Sequence, residues 1–496
     1  MRVVATEADL ADAVAGARRE AGSSFGDDRV FLERYVARAR HVEVQILGDS
    51  HGHLVHLGER ECSIQRRHQK ILEESPSPVI DDAMRAAMGD AALRLARAIG
   101  YQSAGTVEFL VDDDTREFFF LEANTRLQVE HAVTEEVTGV DLVREQLRIA
   151  AGEPLGYAQA DIAFAGHAIE ARLYAEDAPA GFLPATGTLA AFEPAAHPAV
   201  RWDSGVEAGS VVGVDFDPML AKVIAHGPTR TEAAGRLALA LERLHVGGVT
   251  TNRDFLAATL RHPAFLDGDT TTDFIERIAP ATVASVEDDE RDRLAAIAAL
   301  WLQGENRRQA GALASVPSGW RNGRLPLQQV TLSLGAHTLE VRYAAARDGS
   351  FEVQVGDGAA TRARVHAWSE SALDAEVGGR RRVTRITRDG SHLHLQGARG
   401  THSVTVVPRF VVPGSELPHG GLVAPMPGVV LEVRCVPGDH VEARQTLVVL
   451  EAMKMEHHVR APADGVVSEV RVTVGQHVEN GTPLVEFEPH DDEASA

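Results

Sequence analysis

The sequence predicts an α+β protein built from several domains, and three observations lead to that prediction. The chain has 496 residues, more than one compact core usually holds, so three or four domains are expected. Stretches with helical periodicity and short stretches of alternating apolar and polar residues follow one another in its first half. The last part is instead an internal repeat rich in valine, which predicts a small all-β sandwich.

The N-terminal region predicts helices and strands in alternation. A first helix is expected over residues 7–21, with Thr6 as its N-cap and Asp9 in the acidic position of a capping box. Strands are expected over residues 30–36, 41–47 and 54–57, and a turn at residues 48–52 makes the last two a hairpin. Two further helices are expected, over residues 80–99 and 229–245.

A second hairpin carries a pair of carboxylates. Strands are predicted over residues 104–111 and 117–122, and a turn centred on Thr115 would place Glu108 directly opposite Glu122. Like charges in that arrangement repel each other, so a divalent cation between them is a natural remedy. Oxygen ligands suit Mg²⁺ or Mn²⁺, and Asn124 lies close enough to join them. The ordinary alternative is two carboxylates that point into solvent.

The residues after this hairpin form a polar row. Asn124, Arg126, Gln128 and Glu130 alternate along the chain, so in an extended segment they would share one side. Such a row offers a metal ligand, an anion clamp, an amide and a candidate base. A salt bridge between Arg126 and Glu130 is the alternative, but it would contribute little and would not explain the two amides.

Residues 30–172 resemble the catalytic half of biotin carboxylase, an ATP-grasp enzyme. Four segments carry the resemblance: Arg40-His41-Val42-Glu43, Arg66-Arg67-His68-Gln69-Lys70, Gly105-Thr106-Val107-Glu108-Phe109 and Glu122-Ala123-Asn124-Thr125-Arg126-Leu127-Gln128-Val129-Glu130-His131.

The resemblance implies roles for individual residues. Glu108, Glu122 and Asn124 would bind the metal. Bicarbonate would be held by Arg126, Gln128 and the Val129 backbone, and Glu130 would deprotonate it. Lys70 would contact phosphate or bicarbonate, and Arg172 would stabilise the biotin enolate. The nucleotide base and ribose would be surrounded by Glu33, Arg34, Val36, His41, Gln65, His68 and Leu110.

Members of this family open with a nucleotide-fold subdomain and a lid whose glycine-rich loop covers the phosphates. The first residues, from Met1 to Val4, resemble the sequence that follows that loop. The expectation is therefore that the ATP-grasp region is truncated and that the chain as printed does not turn over ATP at a useful rate.

A change of composition after residue 282 predicts a different domain. A helix is expected over residues 286–303, with Ser285 as its N-cap and Gly304 as its stop. Alternating strands from about residue 328 to 410 predict a β barrel or sandwich. The region resembles the middle domain of acyl-CoA carboxylase α subunits, which docks the carboxyltransferase β subunit. Trp320 is a possible interface anchor, although a core tryptophan is equally consistent with the sequence.

The C-terminal repeat places a lysine between two equal units. Residues 424–451 align with residues 461–488 at an offset of 37, and 15 of the 28 positions are identical. This predicts a quasi-symmetric sandwich that displays Lys454 on the turn between its halves. Exposed lysines are common, but Met453 and Met455 beside this one are costly to expose.

The lysine segment resembles the biotinyl domains of biotin-dependent carboxylases. Ala452-Met453-Lys454-Met455 matches their signature, and Ala424-Pro425-Met426-Pro427-Gly428 extends the resemblance. It implies covalent biotin on Lys454, attached by a biotin protein ligase. Lipoyl domains share this fold but usually carry Asp-Lys-Ala or a similar motif, so a lipoyl-type carrier is the weaker alternative.

Composition and charge exclude several classes of partner. The net charge of −23 argues against a nucleic-acid or anionic-membrane partner. Two cysteines form neither a disulfide framework nor a metal cluster, and a reducing cytoplasm is the simplest location. The N-terminus lacks the apolar core of a signal peptide, and no apolar run approaches the roughly 20 residues that span a bilayer.

Together these expectations describe an α+β multidomain chain. It comprises a truncated ATP-grasp catalytic region (1–160), a biotin carboxylase C-terminal subdomain (161–282), a helix plus β-barrel docking domain (283–412), a flexible linker (413–421) and an all-β biotinyl/lipoyl-like sandwich (422–489). The implied function is ATP- and bicarbonate-dependent carboxylation of biotin on Lys454, for transfer to an acyl-CoA by a β subunit in a hetero-oligomer. The middle domain favours the 3-methylcrotonyl-CoA or propionyl-CoA type, but the acyl-CoA cannot be read from the sequence. A non-catalytic biotin carrier and docking subunit is the alternative.

Overall fold

The computed structural model of the chain describes residues 3–67, 69–214, 216–312, 316, 326–410, 421–424, 428–452, 455–479 and 481–489. Its contacts divide it into two units. The first comprises Met1–Ala165 with Gly268–Ala279, and the second comprises Gly166–Asp267 with Pro280–Ala496. Among the described residues, none of the helices combines the length and the apolar character that a bilayer-spanning helix requires.

The first unit contains an antiparallel arrangement of five strands and several helices. Its strands are β1 (Ala39–Gly48), β2 (Leu54–Arg66), β3 (Gln69–Ser75), β4 (Ser103–Asp112) and β5 (Phe118–Asn124), hydrogen-bonded in the order β3-β2-β1-β4-β5. Its helices are α1 (Leu10–Phe25), α2 (Asp82–Ala98), α3 (His131–Thr138) and α4 (Leu142–Ala150), with 3-10 turns at Glu7–Asp9 and Gln159–Asp161. The predicted hairpins β1–β2 and β4–β5 are confirmed.

The core of this unit lies between α2 and the strands. One face of β1, with Val42, Val44 and Ile46, packs with Met88 and Ala92 of α2. The alternate residues of β1 are therefore turned to the other face of the sheet. That second face carries the candidate site.

Two predictions near the N-terminus are wrong in part. The helix begins at Leu10, after a 3-10 turn, and the Thr6 hydroxyl donates to the Asp9 carboxylate at 2.6 Å without capping the helix backbone. Residues 30–36 form no strand, and Phe31 is 81% exposed. These residues have high β propensity, but within the described residues no neighbouring strand pairs with them. Propensity without a ladder partner does not make a strand.

The second unit begins with a short mixed region. Its strands are β6 (His167–Tyr174), β7 (Glu176–Asp177), β8 (Leu183–Pro184), β9 (Gly187–Thr188), β10 (Ala191–Glu193), β11 (Arg201–Ser204), β12 (Val211–Val212), β13 (Met219–Gly227) and β14 (His245–Gly247). Its helices are α5 (Arg230–Arg243), α6 (Arg253–Arg261) and α7 (Pro263–Leu266). The predicted helix at residues 229–245 is confirmed as α5, which begins with a capping box between Thr229 and Glu232. Helix α8 (Phe274–Ile278) lies in Gly268–Ala279, the second chain segment of the first unit.

A long helix and a closed barrel follow. Helix α9 (Asp288–Gln309) precedes eight strands, β15 (Gln328–Leu334), β16 (His337–Ala345), β17 (Phe351–Val355), β18 (Thr361–Trp368), β19 (Ala372–Val377), β20 (Arg380–Asp389), β21 (His392–Gln396) and β22 (Thr401–Val406), which close on themselves. Residues 294–302 of α9 are all buried and share one core with the barrel strands. The barrel alternative is thus confirmed. Trp320 lies outside the described residues.

The predicted ends of α9 are wrong. The N-cap is Glu287, not Ser285, and the helix continues past Gly304 to Gln309. A Cβ atom at residue 304 would lie 2.3 Å from the Trp368 indole. Gly304 is therefore explained by the close approach of this ring and not by a helix stop.

The C-terminal repeat forms two four-stranded sheets. The strands are β23 (Gly421–Val423), β24 (Gly428–Val433), β25 (His440–Val441), β26 (Thr446–Ala452), β27 (Met455–Arg460), β28 (Gly465–Val470), β29 (His477–Val478) and β30 (Pro483–Pro489). The sheet order β23-β30-β28-β25 becomes the order β27-β26-β24-β29 of the other sheet when each strand is replaced by its repeat partner. The predicted quasi-symmetric sandwich is confirmed. The predicted linker at residues 413–421 lies outside the described residues except for Gly421, which begins β23.

Candidate active site

The two carboxylates of the β4–β5 hairpin lie opposite each other. Glu108 pairs with Glu122 as predicted, and a bulge next to this pair shifts the register so that Phe109 pairs with Phe120. The Asn124 side-chain amide donates to both carboxylates, at 2.9 Å to Glu108 and 3.0 Å to Glu122. Two carboxylate oxygens and an amide therefore converge on one point. The two carboxylates supply the oxygen ligands that Mg²⁺ and Mn²⁺ prefer, and Asn124 would join them through its amide oxygen if the amide were rotated.

Glu108 is held in its charged form by several donors. Its carboxylate is 2.6 Å from His41 Nε2 and accepts a hydrogen bond of 2.7 Å from the Gln128 amide. Burial acts to raise the pKa of Glu108, but the His41 hydrogen bond and the charge of Lys70 outweigh it and hold the pKa at about 2. The residue thus carries a negative charge at neutral pH.

Lys70 on β3 contacts three carboxylates of the site. Its ammonium donates to Glu43 and Glu130 at 2.6 Å each and to Glu108 at 3.3 Å. Burial alone would lower the pKa of Lys70, but the surrounding carboxylates raise it well above its usual value. A permanent cation therefore lies beside the candidate base Glu130, which is 2% exposed.

A buried arginine contacts one of the carboxylates that Lys70 contacts. The guanidinium of Arg60 donates to Glu43 at 2.6 Å and to Gln45 at 2.7 Å. It also donates to Gln128 at 3.2 Å, and none of its surface is exposed. Burial acts to raise the pKa of Glu43, but the charges of Arg60 and Lys70 bring it down to about 2.

No role for Glu43, Gln45 or Arg60 was predicted from the sequence. A signal was present: polar and apolar residues alternate along β1, so that His41, Glu43 and Gln45 share one face although all three are buried. Buried polar residues on one face of a strand indicate partners or a ligand on that face.

The polar row of residues 124–130 does not form an extended segment. Strand β5 ends at Asn124, and the chain turns into α3, which begins at His131. Gln128 and Glu130 are buried beside Glu108 and Lys70, whereas the Arg126 side chain is exposed and donates to the Leu127 carbonyl at 3.2 Å. The expected single polar side is therefore wrong. A chain that leaves the sheet no longer has the two-residue period of a strand.

Two of the residues predicted to surround the nucleotide, His41 and Leu110, lie in one row across the sheet. His41 of β1 pairs with Leu110 of β4, which pairs with Phe119 of β5. The Arg34 guanidinium lies 4.8 Å from the centre of the Phe119 ring. Glu33 is exposed and Val36 is buried on the same segment, while Gln65 pairs with Lys70 between β2 and β3. His68 lies outside the described residues.

Of the two residues assigned to biotin, Arg172 is described and lies in the second unit. Arg172 lies on β6, where it pairs with Lys222 of β13, and its carbonyl accepts a hydrogen bond of 3.1 Å from Asn252. Lys454 lies outside the described residues. Its neighbours Ala452 and Met455 are paired across the β26–β27 hairpin.

Four family profiles match successive parts of the chain. Residues 1–158 match the family described as Carbamoyl-phosphate synthase L chain, ATP binding domain, and residues 170–277 match the Biotin carboxylase C-terminal domain. Residues 290–409 match the Methylcrotonyl-CoA carboxylase, alpha-subunit, BT domain. Residues 421–487 match the family described as Biotin-requiring enzyme.

Relatives match across these domains. The mitochondrial methylcrotonoyl-CoA carboxylase subunit alpha of Arabidopsis thaliana is 38% identical, and the match covers 93% of this chain and 68% of that protein. The propionyl-CoA carboxylase alpha chain of Ruegeria pomeroyi is 40% identical, with 93% of this chain and 72% of that protein covered. This chain belongs to the biotin-dependent acyl-CoA carboxylase α subunits. The family consists of ligases that depend on biotin and ATP, so the predicted enzyme class and cofactors are confirmed at the level of the family.

Solved biotin carboxylase structures share the fold. The biotin carboxylase domain of a thermophilic 2-oxoglutarate carboxylase bound to bicarbonate has a TM-score of 0.55 and 39% identity, covering 57% of this chain and 64% of that chain. The biotin carboxylase–β-γ-ATP complex from Campylobacter jejuni has a TM-score of 0.54 and 40% identity, covering 56% and 61% respectively. The predicted fold class, α+β multidomain with an ATP-grasp region, a barrel and a biotinyl-type sandwich, is confirmed.

Proposed function

We propose that this chain carboxylates biotin attached to Lys454, using ATP and bicarbonate. The single observation that carries the proposal is the contact between Lys70 and Glu130, with 2.6 Å between the ammonium nitrogen and a carboxylate oxygen. A base and a fixed cation lie side by side, next to the candidate metal carboxylates. This arrangement suits an anionic substrate that must lose a proton.

Bicarbonate requires activation because it is a poor electrophile. Glu130 would accept its proton, so that a bicarbonate oxygen can attack the γ-phosphorus of ATP with ADP as the leaving group. Lys70 and the Gln128 amide would donate to the negative oxygens and offset the charge that develops on them. Arg126 and the Val129 backbone remain proposed bicarbonate ligands, and Arg172 remains the proposed stabiliser of the biotin enolate.

The hairpin carboxylates would hold the metal. Glu108 and Glu122 would supply carboxylate oxygens to Mg²⁺ or Mn²⁺, and Asn124, whose amide nitrogen now donates to both, would turn its oxygen to the metal; the bound ion would neutralise charge on the phosphates. The row formed by His41, Leu110 and Phe119, with Arg34 over the ring, would accept the nucleotide base and ribose together with Glu33, Val36, Gln65 and His68.

Biotin attachment at Lys454 is supported by the lysine content of the chain. The sequence contains three lysines, Lys70, Lys222 and Lys454. The first two are on strands and form ion pairs with carboxylates. Co-expression with a biotin protein ligase should add one biotinyl group by intact mass, and Lys454→Arg should abolish it while Lys222→Arg keeps it. A lipoyl group in the mass spectrum, or labelling of the Lys454→Arg variant, would contradict this part.

Bicarbonate-dependent ATP hydrolysis with free biotin and Mg²⁺ tests the catalytic part. It is measured on this chain and on a fusion in which the N-terminal region of another biotin carboxylase precedes residue 1, since low turnover of the chain alone is itself a prediction. Activity that is lost in Glu130→Gln and kept in Glu153→Gln, an exposed acid of the same unit, supports the proposal. If neither form hydrolyses ATP in response to bicarbonate, the non-catalytic carrier is favoured.

The same proposal includes a partner. The match of residues 290–409 to the α-subunit BT domain supports docking of a carboxyltransferase β subunit, which would transfer the carboxyl group to an acyl-CoA in a hetero-oligomer. The test is co-purification of the β subunit with this chain. Removal of residues 283–412 should abolish it. The choice between 3-methylcrotonyl-CoA and propionyl-CoA, and the cytoplasmic location, stay predictions.

A further inference from the structure

A fully buried arginine connects two groups of the proposed bicarbonate site. Arg60 lies on β2, and its guanidinium contacts five side chains from four other parts of the first unit. They are Glu43 and Gln45 of β1, Thr106 of β4, Gln128 of the loop before α3, and Thr134 of α3. Because none of its surface is exposed, Arg60 is not placed to touch a substrate.

One branch of these contacts leads to Lys70. Arg60 Nε donates to one oxygen of Glu43 at 2.6 Å, and the other oxygen of the same carboxylate accepts from Lys70 at 2.6 Å. The Glu43 carboxylate is thus fixed at both oxygens, and its position determines where the Lys70 ammonium lies relative to Glu130. A planar guanidinium is suited to this task because its donors have fixed directions.

The other branch leads to Gln128. Arg60 Nη2 donates to the amide oxygen of Gln128 at 3.2 Å, which turns the amide nitrogen toward Glu108, 2.7 Å away. Without a donor at its oxygen, the amide could rotate and present either atom to the site. Arg60 therefore selects the orientation in which Gln128 acts as a donor on the side of Glu108.

We propose that Arg60 is a positioning residue of the bicarbonate site, which sets the place of the Lys70 ammonium through Glu43 and the orientation of the Gln128 amide directly. This inference rests on the proposed function. It predicts that the geometry of the guanidinium matters as well as its charge. A lysine at this position keeps the charge but cannot serve Glu43, Gln45 and Gln128 together.

The test compares Arg60→Lys with Arg40→Lys in a form of the chain that hydrolyses ATP in response to bicarbonate. Arg40 is a matched control because it is also a buried arginine of the same strand layer, 2% exposed, and donates to Glu61, Asp113 and the Gly268 carbonyl. None of these partners belongs to the proposed site. Thermal unfolding of both variants establishes the fraction that is folded in the assay.

Arg60→Lys should raise the KM for bicarbonate by about tenfold or more while the KM for ATP changes by less than about twofold. Arg40→Lys should leave both values within about twofold of the unaltered chain. The effects of Arg60→Lys and Gln128→Leu on the KM for bicarbonate should be less than additive in the double variant, because the branch through Gln128 is already lost and only the branch through Glu43 and Lys70 remains.

If Arg60 served only the stability of the fold, Arg60→Lys would lower only the amount of active protein. The kcat per total protein would then fall while both KM values stayed unchanged. That result, or an equal rise in the KM for bicarbonate in Arg40→Lys, overturns the positioning role alone. If neither this chain nor the fusion hydrolyses ATP in response to bicarbonate, the proposed function fails, and the positioning role fails with it.

Discussion

Lys70 donates a hydrogen bond of 2.6 Å to Glu130, so that the end of a β hairpin is joined to the residue from which helix α3 starts. The two residues are 60 positions apart in the chain. The same ammonium contacts Glu43 and Glu108, which places three carboxylates around one cation. Charges at such short distances in a buried site constrain one another strongly.

Replacing Lys70 by methionine should impair both stability and activity. The change leaves Glu130 and Glu43 buried without this cation, and loss of one partner of a buried ion pair commonly costs about 3–5 kcal/mol of stability. Bicarbonate-dependent ATP hydrolysis per folded molecule should fall by about 100-fold or more, because a donor to the developing charge is lost. Urea unfolding and steady-state kinetics measure the two effects.

Lys222→Met is the matched control, since Lys222 is also a mostly buried lysine on a strand and pairs with Asp203 at 3.3 Å. It should lower stability without a comparable loss of activity per folded molecule. Equal kinetic losses in the two variants would show that Lys70 acts only through the stability of the chain.

Glu108 and Glu122 should determine the affinity for a divalent metal, and this affinity can be measured without catalytic turnover. Glu108→Gln removes a charge of the buried ligand and Glu122→Gln that of the exposed one, so each should weaken Mn²⁺ binding by about 10–100-fold. Electron paramagnetic resonance of free Mn²⁺ measures this directly. Glu117→Gln, an exposed change on the same hairpin, should leave the affinity unchanged. Tight Mn²⁺ binding in Glu108→Gln would place the metal elsewhere.

The second unit should lose stability in mild acid because of His245. This residue is fully buried on β14, with its ring 2.9 Å from the Thr387 hydroxyl. Burial lowers the pKa of His245 from 6.5 to about 4, and the neighbouring charges of Arg385, His394 and Arg253 act in the same direction. Below about pH 6.5 the unfolded chain binds a proton that the folded chain does not.

The free energy of unfolding should therefore fall as the pH drops from 6.5 to about 4, by up to about 3 kcal/mol for this group alone. Urea unfolding followed by tryptophan fluorescence at a series of pH values measures it. His245→Gln should flatten this dependence, whereas His51→Gln, an exposed change in the first unit, should not. An unchanged pH profile in His245→Gln would refute the assignment.

Gly304 should be intolerant of any side chain. A methyl group there would collide with the Trp368 indole, which stacks on Trp301 with ring centres 5.8 Å apart. Gly304→Ala should lower stability by about 1–3 kcal/mol, as overpacking of a core commonly does. Gly235→Ala in α5 meets no atom within 4 Å and should instead stabilise by up to about 1 kcal/mol. Urea midpoints compare the two, and a neutral Gly304→Ala would mean that the indole moves aside.

Much of the local structure follows from short-range patterns. The β4–β5 hairpin follows from its turn residues, although the exact pairing of Glu108 with Glu122 also depends on a bulge beside it, and α5 follows from Thr229 and the residues after it. The repeat at an offset of 37 carries the symmetry of the C-terminal sandwich. These features depend on residues that are near each other in the chain or related by the repeat.

The misassigned elements depend on partners that are remote in sequence. Residues 30–36 have the composition of a strand, but a strand forms only where a neighbour completes its hydrogen bonds. Gly304 has the character of a helix stop, but its role comes from Trp368, 64 residues later by number. The run from Asn124 to Glu130 alternates in the sequence, yet β5 ends at its first residue.

The sequence by itself therefore determined the family of domains, the hairpin that carries Glu108 and Glu122 and the symmetry of the C-terminal sandwich. Only the tertiary structure decided that Arg60, Glu43 and Lys70 form one connected group with Gln128 and Glu130. The reason is physical. Periodicity and turn chemistry act over a few residues, whereas a buried charge is stable only where side chains from distant strands supply its partners.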